Sequence, residues 1–283
     1  MDKSKTLCIS DLDGTLLNKS AELSGYTIKT LNAMIMGGLN FSVATARTFV
    51  SASKILSGLN LQIPVILMNG VLIYDMERRY CAQINALAPE CVTEIIKTLR
   101  QFEITGFMYE LKDGELMTYH ESLEQKPLRD FVEERIARYY KTFRHTDGFD
   151  RVSPEHIIYF TLLDKLERLQ AVHDALVKQP GLNLTMYNDI YNLDLWYLEV
   201  FNAGASKQNA ALYLKEAYGY ERIVGFGDNI NDLPMFAACD VKIAVENAIP
   251  EVKAAADIIC GTNDSDGVAK WLAEHYMGNA GYA

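Results

Sequence analysis

The sequence predicts an α/β protein: a doubly wound, Rossmann-like parallel sheet that carries an inserted α+β module. Short apolar runs end abruptly in polar residues, helical patterns separate these runs, and the middle of the chain alternates apolar and polar residues instead. Continuous apolar character is typical of strands that are buried on both faces, as in a parallel sheet. Strands that alternate with helices form an open sheet, which binds its ligands at the carboxyl ends of the strands.

Five apolar runs are the candidate strands of this sheet: "TLCIS", "FSVA", "PVILM", "RIVGFG" and "VKIAV". Because parallel strands end at one edge of the sheet, we expect the polar residues that follow them to gather there. In chain order the residues expected at this edge are Asp11, Thr45, Asn69 and Asp228. The last run closes in Glu246 and Asn247.

Helical patterns lie between the runs. The pattern over residues 25–36 stops at Gly37-Gly38, and the pattern over residues 47–57 stops at Gly58, as helices commonly do. Residues 207–218 and 266–277 show similar patterns.

The middle of the chain predicts an antiparallel sheet with helices. "GFMYELKDGELMTYH" indicates a hairpin around residues 112–114, and helical patterns cover residues 127–142 and 165–178. "HIIYFTLL" and "LNLTMYNDIYNLDLWYLEVF" are strand-like. We therefore expect a core formed by residues 1–84 and 190–283, and an inserted unit over residues 85–189. The connectors are expected within 75–84 and 188–200.

Composition limits the partners. The 283 residues carry a formal net charge of -10, which argues against nucleic acid and against an anionic membrane surface. The five cysteines form no C-x-x-C pair and suit reduced cytosolic thiols. No signal peptide pattern opens the chain and no apolar run reaches the ~18 residues of a membrane span. We expect a cytoplasmic protein, a monomer or weak homo-oligomer, with no nucleic-acid or membrane partner.

Paired acids mark the candidate site. In "DLDGT" two carboxylates stand one residue apart, and a lone D-x-D-G would be explained best by a solvated turn. "GDNIND" adds Asp228 and Asp232, so that four acids converge on one edge of the sheet. Hard carboxylate oxygens suit Mg²⁺, which would offset their charge toward a phosphate. Lys207 adds a positive charge and Thr45 a hydrogen-bond donor.

This combination permits phosphoryl transfer through a covalent intermediate. One carboxylate can attack phosphorus, and the other, two residues on, can protonate the leaving oxygen and then deprotonate water. Crowding among like charges favours a proton on Asp13.

In order along the chain, "DLDGTLL", a strand that ends in Thr45, Lys207 and "GDNIND" resemble the four motifs of the haloacid dehalogenase (HAD) superfamily. The long insertion, "NGVLI", and "ENAIPEVKAAADIICGTNDSDGVA" resemble its Cof-type phosphatases of subfamily IIB. The resemblance covers residues 5–80 and 195–273 and is weaker in the insertion. It implies a HAD-like core with a cap domain that acts as a substrate lid.

The resemblance also implies roles for individual residues. Asp11 would be the nucleophile and Asp13 the general acid and base, while Thr45 and Lys207 would bind the phosphoryl group of a small phosphate ester. The metal residues would be Asp11, Asp13 through its backbone carbonyl, Asp228 and, in support, Asp232, with Mg²⁺ as the cofactor. Asn69 and Asn231 would bind on the substrate side.

One position departs from the family pattern. The family usually has T-G-R where this chain has Thr45-Ala46-Arg47 at the substrate-binding loop. Alanine tolerates positive φ poorly, so we expect a different local turn there. Arg47 is either a cation on the phosphate side or an ordinary charge at a helix start.

Two alternatives remain open. A phosphomutase of the same subfamily would use the same aspartate pair and return the phosphate to a second hydroxyl. A non-catalytic phosphate- or Mg²⁺-binding regulator would be expected to have lost an acid or the lysine, and here all of them are present.

Overall fold

The computed structural model describes residues 3–188 and 194–276. The strands in this part of the chain are β1 (Thr6–Ser10), β2 (Asn40–Val43), β3 (Val65–Leu67), β4 (Leu72–Asp75), β5 (Tyr80–Ile84), β6 (Gly106–Lys112), β7 (Glu115–His120), β8 (Phe143–His145), β9 (Ile157–Asp164), β10 (Leu182–Asn188), β11 (Trp196–Asn202), β12 (Arg222–Gly227), β13 (Val241–Val245) and β14 (Ile258–Cys260).

The helices in the same part are α1 (Gly25–Met36), α2 (Phe49–Leu56), α3 (Pro89–Gln101), α4 (Lys126–Tyr139), α5 (Leu166–Leu176), α6 (Lys207–Ala217), α7 (Leu233–Ala238), α8 (Pro250–Ala255) and α9 (Gly267–Tyr276). None of the helices described is long and apolar enough to cross a membrane. The five cysteines are all free thiols.

The chain divides into two compact units. The first consists of Met1–Gln83 and Ser206–Ala283, and the second is the continuous segment Ile84–Ala205. The first unit is therefore built from both ends of the chain, with the second inserted between them.

A five-stranded sheet forms the centre of the first unit, in the order β14-β13-β12-β1-β2, and every neighbouring pair in it is parallel. The neighbouring strands β1 and β12 are almost entirely buried, which explains their continuous apolar character, whereas the edge strand β14 is exposed at Ile258 and Ile259. From β1 the chain moves outward through β2, and its later part moves outward from β12 in the opposite direction. The strand order therefore reverses between β1 and β12, which is where open α/β sheets bind ligands.

A smaller three-stranded sheet, β3-β4-β5, continues from this centre. A single parallel bridge, Ala44 to Ile66, joins β3 to the segment that follows β2. β3 leads into a tight turn over Met68–Gly70, and β4 then returns antiparallel to β3. The turn brings Asn69 back to Thr45, whose carbonyl accepts the Asn69 N–H at 3.1 Å.

The helices of the first unit begin and end close to the predicted positions. Ser24 caps α1 by accepting the Thr27 N–H, and the helix ends at Gly37. α2 begins two residues later than predicted, because Arg47 and Thr48 belong to the loop that precedes it.

The second unit is built on a six-stranded sheet, β10-β11-β9-β6-β7-β8, and all its neighbouring pairs are antiparallel except β7 with β8. One face of the sheet and helices α3 and α5 enclose a hydrophobic core that includes Ile95, Phe160 and Leu198. The predicted hairpin turn is present at Asp113-Gly114, both with positive φ.

The second boundary differs from the sequence-based expectation. We expected the inserted unit to end near residue 189, with a connector over 188–200, whereas the compact unit extends to Ala205. The reason is that β11 is a central strand of the inserted sheet, paired along its length with β9 and β10. Residues 189–193 of the expected connector lie outside the described part of the chain.

Candidate active site

Asp11 occupies the point where the strand order reverses. It follows the last residue of β1, and its N–H donates to the Phe226 carbonyl of β12 at 2.9 Å, which extends the ladder by one residue. The side chain is 5% exposed, and its Oδ1 accepts a hydrogen bond from Lys207 Nζ at 2.6 Å. Since Lys207 contacts Oδ1, the other carboxylate oxygen of Asp11 is the one without a bond to the lysine.

Lys207 is held at the first turn of α6. Ser206 caps that helix by accepting the Asn209 N–H at 2.9 Å, which fixes the direction in which the chain enters it. Lys207 is 2% exposed, and its ammonium also donates to Asp232 Oδ1 at 2.7 Å. Burial acts to lower the pKa of Lys207, but the two carboxylates outweigh it and raise that pKa above its ordinary value.

Asp232 organises the turn that follows β12. Its Oδ2 accepts the N–H groups of Asp228 and Asn229 at 2.9 and 3.1 Å, while its Oδ1 accepts from Lys207. Both oxygens of this fully buried carboxylate are thus engaged within the protein. The acids of "GDNIND" consequently have different surroundings, because Asp228 is only partly buried and its Oδ1 accepts from the Thr15 hydroxyl at 2.8 Å.

Three carboxylates meet with one ammonium between them. One oxygen each from Asp11, Asp228 and Asp232 lie within 4.8 Å of one another. Burial, followed by the charge of Asp232, raises the pKa of Asp11 well above its usual range and raises the pKa of Asp228 to about 7. Lys207 opposes these shifts without cancelling them. The cluster therefore carries more negative charge than its own lysine neutralises.

This donor set fits a hard divalent cation. Carboxylate oxygens are the ligands that Mg²⁺ prefers, and a bound cation would offset the repulsion among the acids. Gly14 keeps the approach narrow, because a Cβ at this position would lie 2.3 Å from Asp228 Oδ2. Gly14 also has a φ of +80°, which an L side chain rarely adopts. The loop after Asp11 thus requires glycine next to the acidic cluster.

Asp13 has a different neighbour from the one expected. We expected crowding by the other acids, but the charged group in contact with Asp13 is the Arg47 guanidinium. Arg47 Nε and Nη2 donate to the two oxygens of Asp13 at 2.7 and 2.6 Å. The Asp13 side chain is 50% exposed and that of Arg47 is 18% exposed. The Arg47 side chain, for which a cation on the phosphate side and a charge at a helix start were the two interpretations, is directed at Asp13.

The remaining predicted residues lie in neighbouring loops. Thr45 is buried, and its hydroxyl accepts the Arg47 N–H at 3.1 Å, so this loop is closed by its own side chain. We expected a turn at Ala46 that differs from the family's turn with glycine. The φ of Ala46 is not positive, so this turn places no left-handed residue at that position. Asn69 is buried beside Thr45, whereas Asn231 is half-buried in the turn of Asp232 and makes no side-chain hydrogen bond within the described residues.

The sequence analysis missed two residues of the site. Thr15 holds Asp228, although it belongs to the same "DGT" stretch that drew attention to Asp11. Asn247 donates from Nδ2 to the Gly14 carbonyl at 2.7 Å and so supports the loop after Asp11. The end of the "VKIAV" run pointed to Asn247, but not to this contact. In both cases the partner is more than 200 residues away along the chain.

Comparison with known proteins gives a consistent result over nearly the whole chain. The sequence model of a family described as haloacid dehalogenase-like hydrolase matches residues 8–272. A pyridoxal phosphate phosphatase of Escherichia coli is 26% identical over 274 residues, covering 94% of this chain and 97% of that protein. A 5-amino-6-(5-phospho-D-ribitylamino)uracil phosphatase of Bacillus subtilis is 25% identical, covering 98% of this chain and 99% of that protein.

A solved structure agrees with the fold described above. The crystal structure of a haloacid dehalogenase-like hydrolase from Bacteroides thetaiotaomicron superimposes with a TM-score of 0.80 at 24% sequence identity. The match covers 94% of this chain and 98% of that one. At this level of identity the likeness shows the fold, and both units are included in it.

Proposed function

The chain belongs to the haloacid dehalogenase-like hydrolases, and from this premise we propose that it is a phosphatase that hydrolyses small phosphomonoesters through an aspartyl-phosphate. The observation that carries the proposal is the buried contact of Asp11 with Lys207, beside Asp228 and Asp232, at the edge where the strand order reverses. The two relatives described above are both named as phosphatases, which supports the same reaction class.

In the proposed first step, Asp11 attacks phosphorus with a carboxylate oxygen. A P–O bond to Asp11 forms, the P–O bond to the leaving group breaks, and Asp13 gives its proton to the leaving oxygen. Lys207 keeps Asp11 Oδ1 fixed by its hydrogen bond, which leaves the other oxygen to attack. Its positive charge also offsets the charge of the phosphoryl group.

In the second step, water attacks phosphorus and the bond between phosphorus and Asp11 breaks. Asp13 accepts the proton of the attacking water, so both catalytic acids return to their starting states. For this reason Asp13 must face alternately the leaving group and the water. Thr45 and Lys207 are proposed to bind the phosphoryl oxygens, Asn69 and Asn231 to bind on the substrate side, and the Thr45-Ala46-Arg47 loop to frame them.

We propose Mg²⁺ as the cofactor. Asp11, the backbone carbonyl of Asp13 and Asp228 would hold it, and Asp232 would support the site from behind, because both of its oxygens already accept hydrogen bonds. When bound, the cation neutralises negative charge on the acids and on the phosphoryl group. The excess negative charge of the cluster supports this assignment.

The inserted unit is proposed to select the leaving group. The first unit contains every residue assigned to phosphoryl chemistry, whereas the second unit contributes none of them. The names of the two relatives point to substrates that carry a ring or a sugar-like chain, and we include both kinds in the proposed class. The five free thiols support the expectation that the protein acts in the cytoplasm.

A screen for phosphate release tests the proposal. The purified full chain is assayed with Mg²⁺ against pyridoxal phosphate, flavin mononucleotide, sugar phosphates and p-nitrophenyl phosphate. We expect hydrolysis that stops when a chelator removes the metal, returns with Mg²⁺, and falls on the order of 10³-fold or more in Asp11→Asn. Asp113→Asn, on an exposed turn of the inserted unit, is the matched control and should retain full activity. Turnover that persists in folded Asp11→Asn would refute the nucleophile and with it the proposed mechanism.

A further inference from the structure

A buried lysine of the inserted unit is not explained by the proposed chemistry. Lys141 follows the end of α4 and is 7% exposed. Its ammonium nitrogen lies 4.4 Å from the ring centre of Tyr109 and 5.1 Å from that of Phe143. Within residues 3–188 and 194–276, no carboxylate lies within 4.0 Å of this nitrogen, and it donates no hydrogen bond. Among the described residues, the groups that face this ammonium are therefore the two aromatic rings.

The groups around Lys141 add positive charge. Arg135, one turn before the end of α4, accepts the Lys141 N–H with its carbonyl at 3.3 Å, and its guanidinium covers the Phe131 ring at 3.4 Å. Burial, and then the charge of Arg135, lowers the pKa of Lys141 well below its ordinary value. The Arg135 guanidinium donates to the Phe131 carbonyl at 3.4 Å and to the carboxylate of Glu134, whose side chain is 55% exposed, at 3.1 Å. Two cations thus lie together with little opposing charge.

The buried acid on this face of the sheet does not act as the missing counter-ion. Glu199 of β11 is 5% exposed and accepts a hydrogen bond from the Tyr187 hydroxyl at 3.1 Å. Burial, with a contribution from the charge of Glu199, raises the pKa of Tyr109 and the pKa of Tyr187. Glu199 is not among the groups that shift the pKa of Lys141. The position of Lys141 therefore differs from an ordinary buried ion pair.

The other buried lysine of the chain makes the contrast clear. Lys207 is also buried and contacts two carboxylates, and its pKa is raised. Lys141 contacts none of the described carboxylates, and its pKa is lowered. A buried ammonium without a counter-charge is unfavourable, and the faces of aromatic rings compensate for it only in part. An anion placed beside Lys141 would provide the missing charge.

We propose that Lys141, together with Arg135, forms an anion-binding site of the inserted unit, which takes a carboxylate or a phosphate group. The aromatic wall of Tyr109 and Phe143 then excludes water from the pair and strengthens the attraction.

The test measures binding of an anion and does not depend on enzymatic activity. The full chain, carrying lysine labelled at Cε, is titrated with inorganic phosphate and separately with acetate, and lysine resonances are followed by NMR. The Lys141 signal is assigned by its loss in Lys141→Met. We expect a saturable shift of this signal with at least one anion, and none for Lys97, an exposed lysine of α3. A response to phosphate alone or to acetate alone identifies the group that is bound. An unmoved Lys141 signal with both anions would mean that the ring contacts alone stabilise it, and the site would be refuted.

Discussion

The Asp13 carboxylate and the Arg47 guanidinium contact each other through two hydrogen bonds, which fix the orientation of both groups. A carboxylate held in this way accepts hydrogen bonds with both oxygens, so it has no free position from which to donate a proton. The pair has to open before Asp13 can protonate a leaving oxygen. The side chain is half exposed, which leaves space for that movement.

The role of Asp13 is tested with esters that differ in their need for a proton. We expect Asp13→Asn to lower kcat for an alkyl phosphate by about 10²- to 10⁴-fold, the usual contribution of general acid–base catalysis. For p-nitrophenyl phosphate the loss should be much smaller in the first step, because p-nitrophenolate leaves without a proton. Single-turnover measurements of phosphorylation separate this step from hydrolysis of the intermediate. Equal losses for both esters in the first step would contradict an acid role for Asp13.

At the scale of elements, the turn after β3 and the start of α6 determine where Lys207 lies. Gly70, with a φ of +94°, packs so closely that a Cβ would lie 2.3 Å from the Ser206 carbonyl oxygen. Ser206 is also the residue that caps α6, immediately before Lys207. A side chain at position 70 would therefore displace the Ser206 backbone and, with it, the adjacent Lys207.

Gly70→Ala and Gly38→Ala form a matched pair for this contact. Both glycines have a φ of +94°, but a Cβ on Gly38 would meet nothing within 4 Å. Gly38→Ala should cost about 1–2 kcal/mol of unfolding free energy from backbone strain alone. Gly70→Ala should cost about 1–3 kcal/mol more, because the new methyl group displaces the start of α6. Thermal unfolding and kcat are measured for both variants. A Gly70→Ala enzyme that matches Gly38→Ala in both would show that the contact does not position Lys207.

Most elements of the first unit could be predicted from the sequence because their signals are local. A continuous apolar run gives a buried parallel strand, and its last residue marks the edge where Asp11 and Asp228 meet. The ends of α1 at Ser24 and Gly37 also follow from local capping preferences. The shared edge, and with it most of the candidate site, follows from these signals together.

The parts that could not be predicted depend on pairing between distant residues. The segment of β11 was expected to be strand-like, but most of it also fell within the expected connector over 188–200. Its place in the inserted sheet depends on pairing with β9 and β10 rather than on its own composition. The contacts of Arg47 with Asp13 and of Thr15 with Asp228 form only after folding has brought separate loops together. No periodicity or turn signal in the sequence encodes such a contact.

At the scale of the molecule, the acidic cluster gives the metal-free protein an unusual pH dependence. Burial and the charge of Asp232 raise the pKa of Asp228 from 3.8 to about 7, so the folded chain keeps a proton that the unfolded chain releases between these values. The contribution of Asp228 to the unfolding free energy therefore decreases as pH rises from about 4 to about 7. Asp11, with a pKa shifted in the same direction, adds to this trend.

The effect is measured by thermal unfolding of chelator-treated protein at pH 5 and pH 8. We expect the melting temperature to fall between these values by more in the wild-type chain than in Asp228→Asn, which cannot titrate at that position. Mg²⁺ added at pH 8 should raise the melting temperature of the wild-type chain, because the metal binds the folded state. An identical pH response in the wild-type chain and in the variant would contradict the assigned pKa of Asp228.

The proposed division of labour between the two units is tested by exchanging the inserted unit. Replacing residues 84–205 with the corresponding unit of a relative of different specificity should change which esters are hydrolysed. It should preserve the metal requirement and the loss of activity in Asp11→Asn, because those residues belong to the first unit. A folded chimera that keeps the original ranking of substrates would place selectivity in the first unit.

The order in which the strands are made has a consequence for synthesis of the protein. β1 lies between β2 and β12, but β12 begins at Arg222, more than 200 residues after β1. At about 5–20 residues per second, a ribosome needs roughly 10–40 s to reach β12, and one edge of an apolar strand has no partner in that interval. Such an edge is a site for aggregation. The inserted unit, which is continuous in the chain, can fold within the same interval. We therefore expect nascent chains that end before β12 to depend on chaperones, and released full-length chains to depend on them much less.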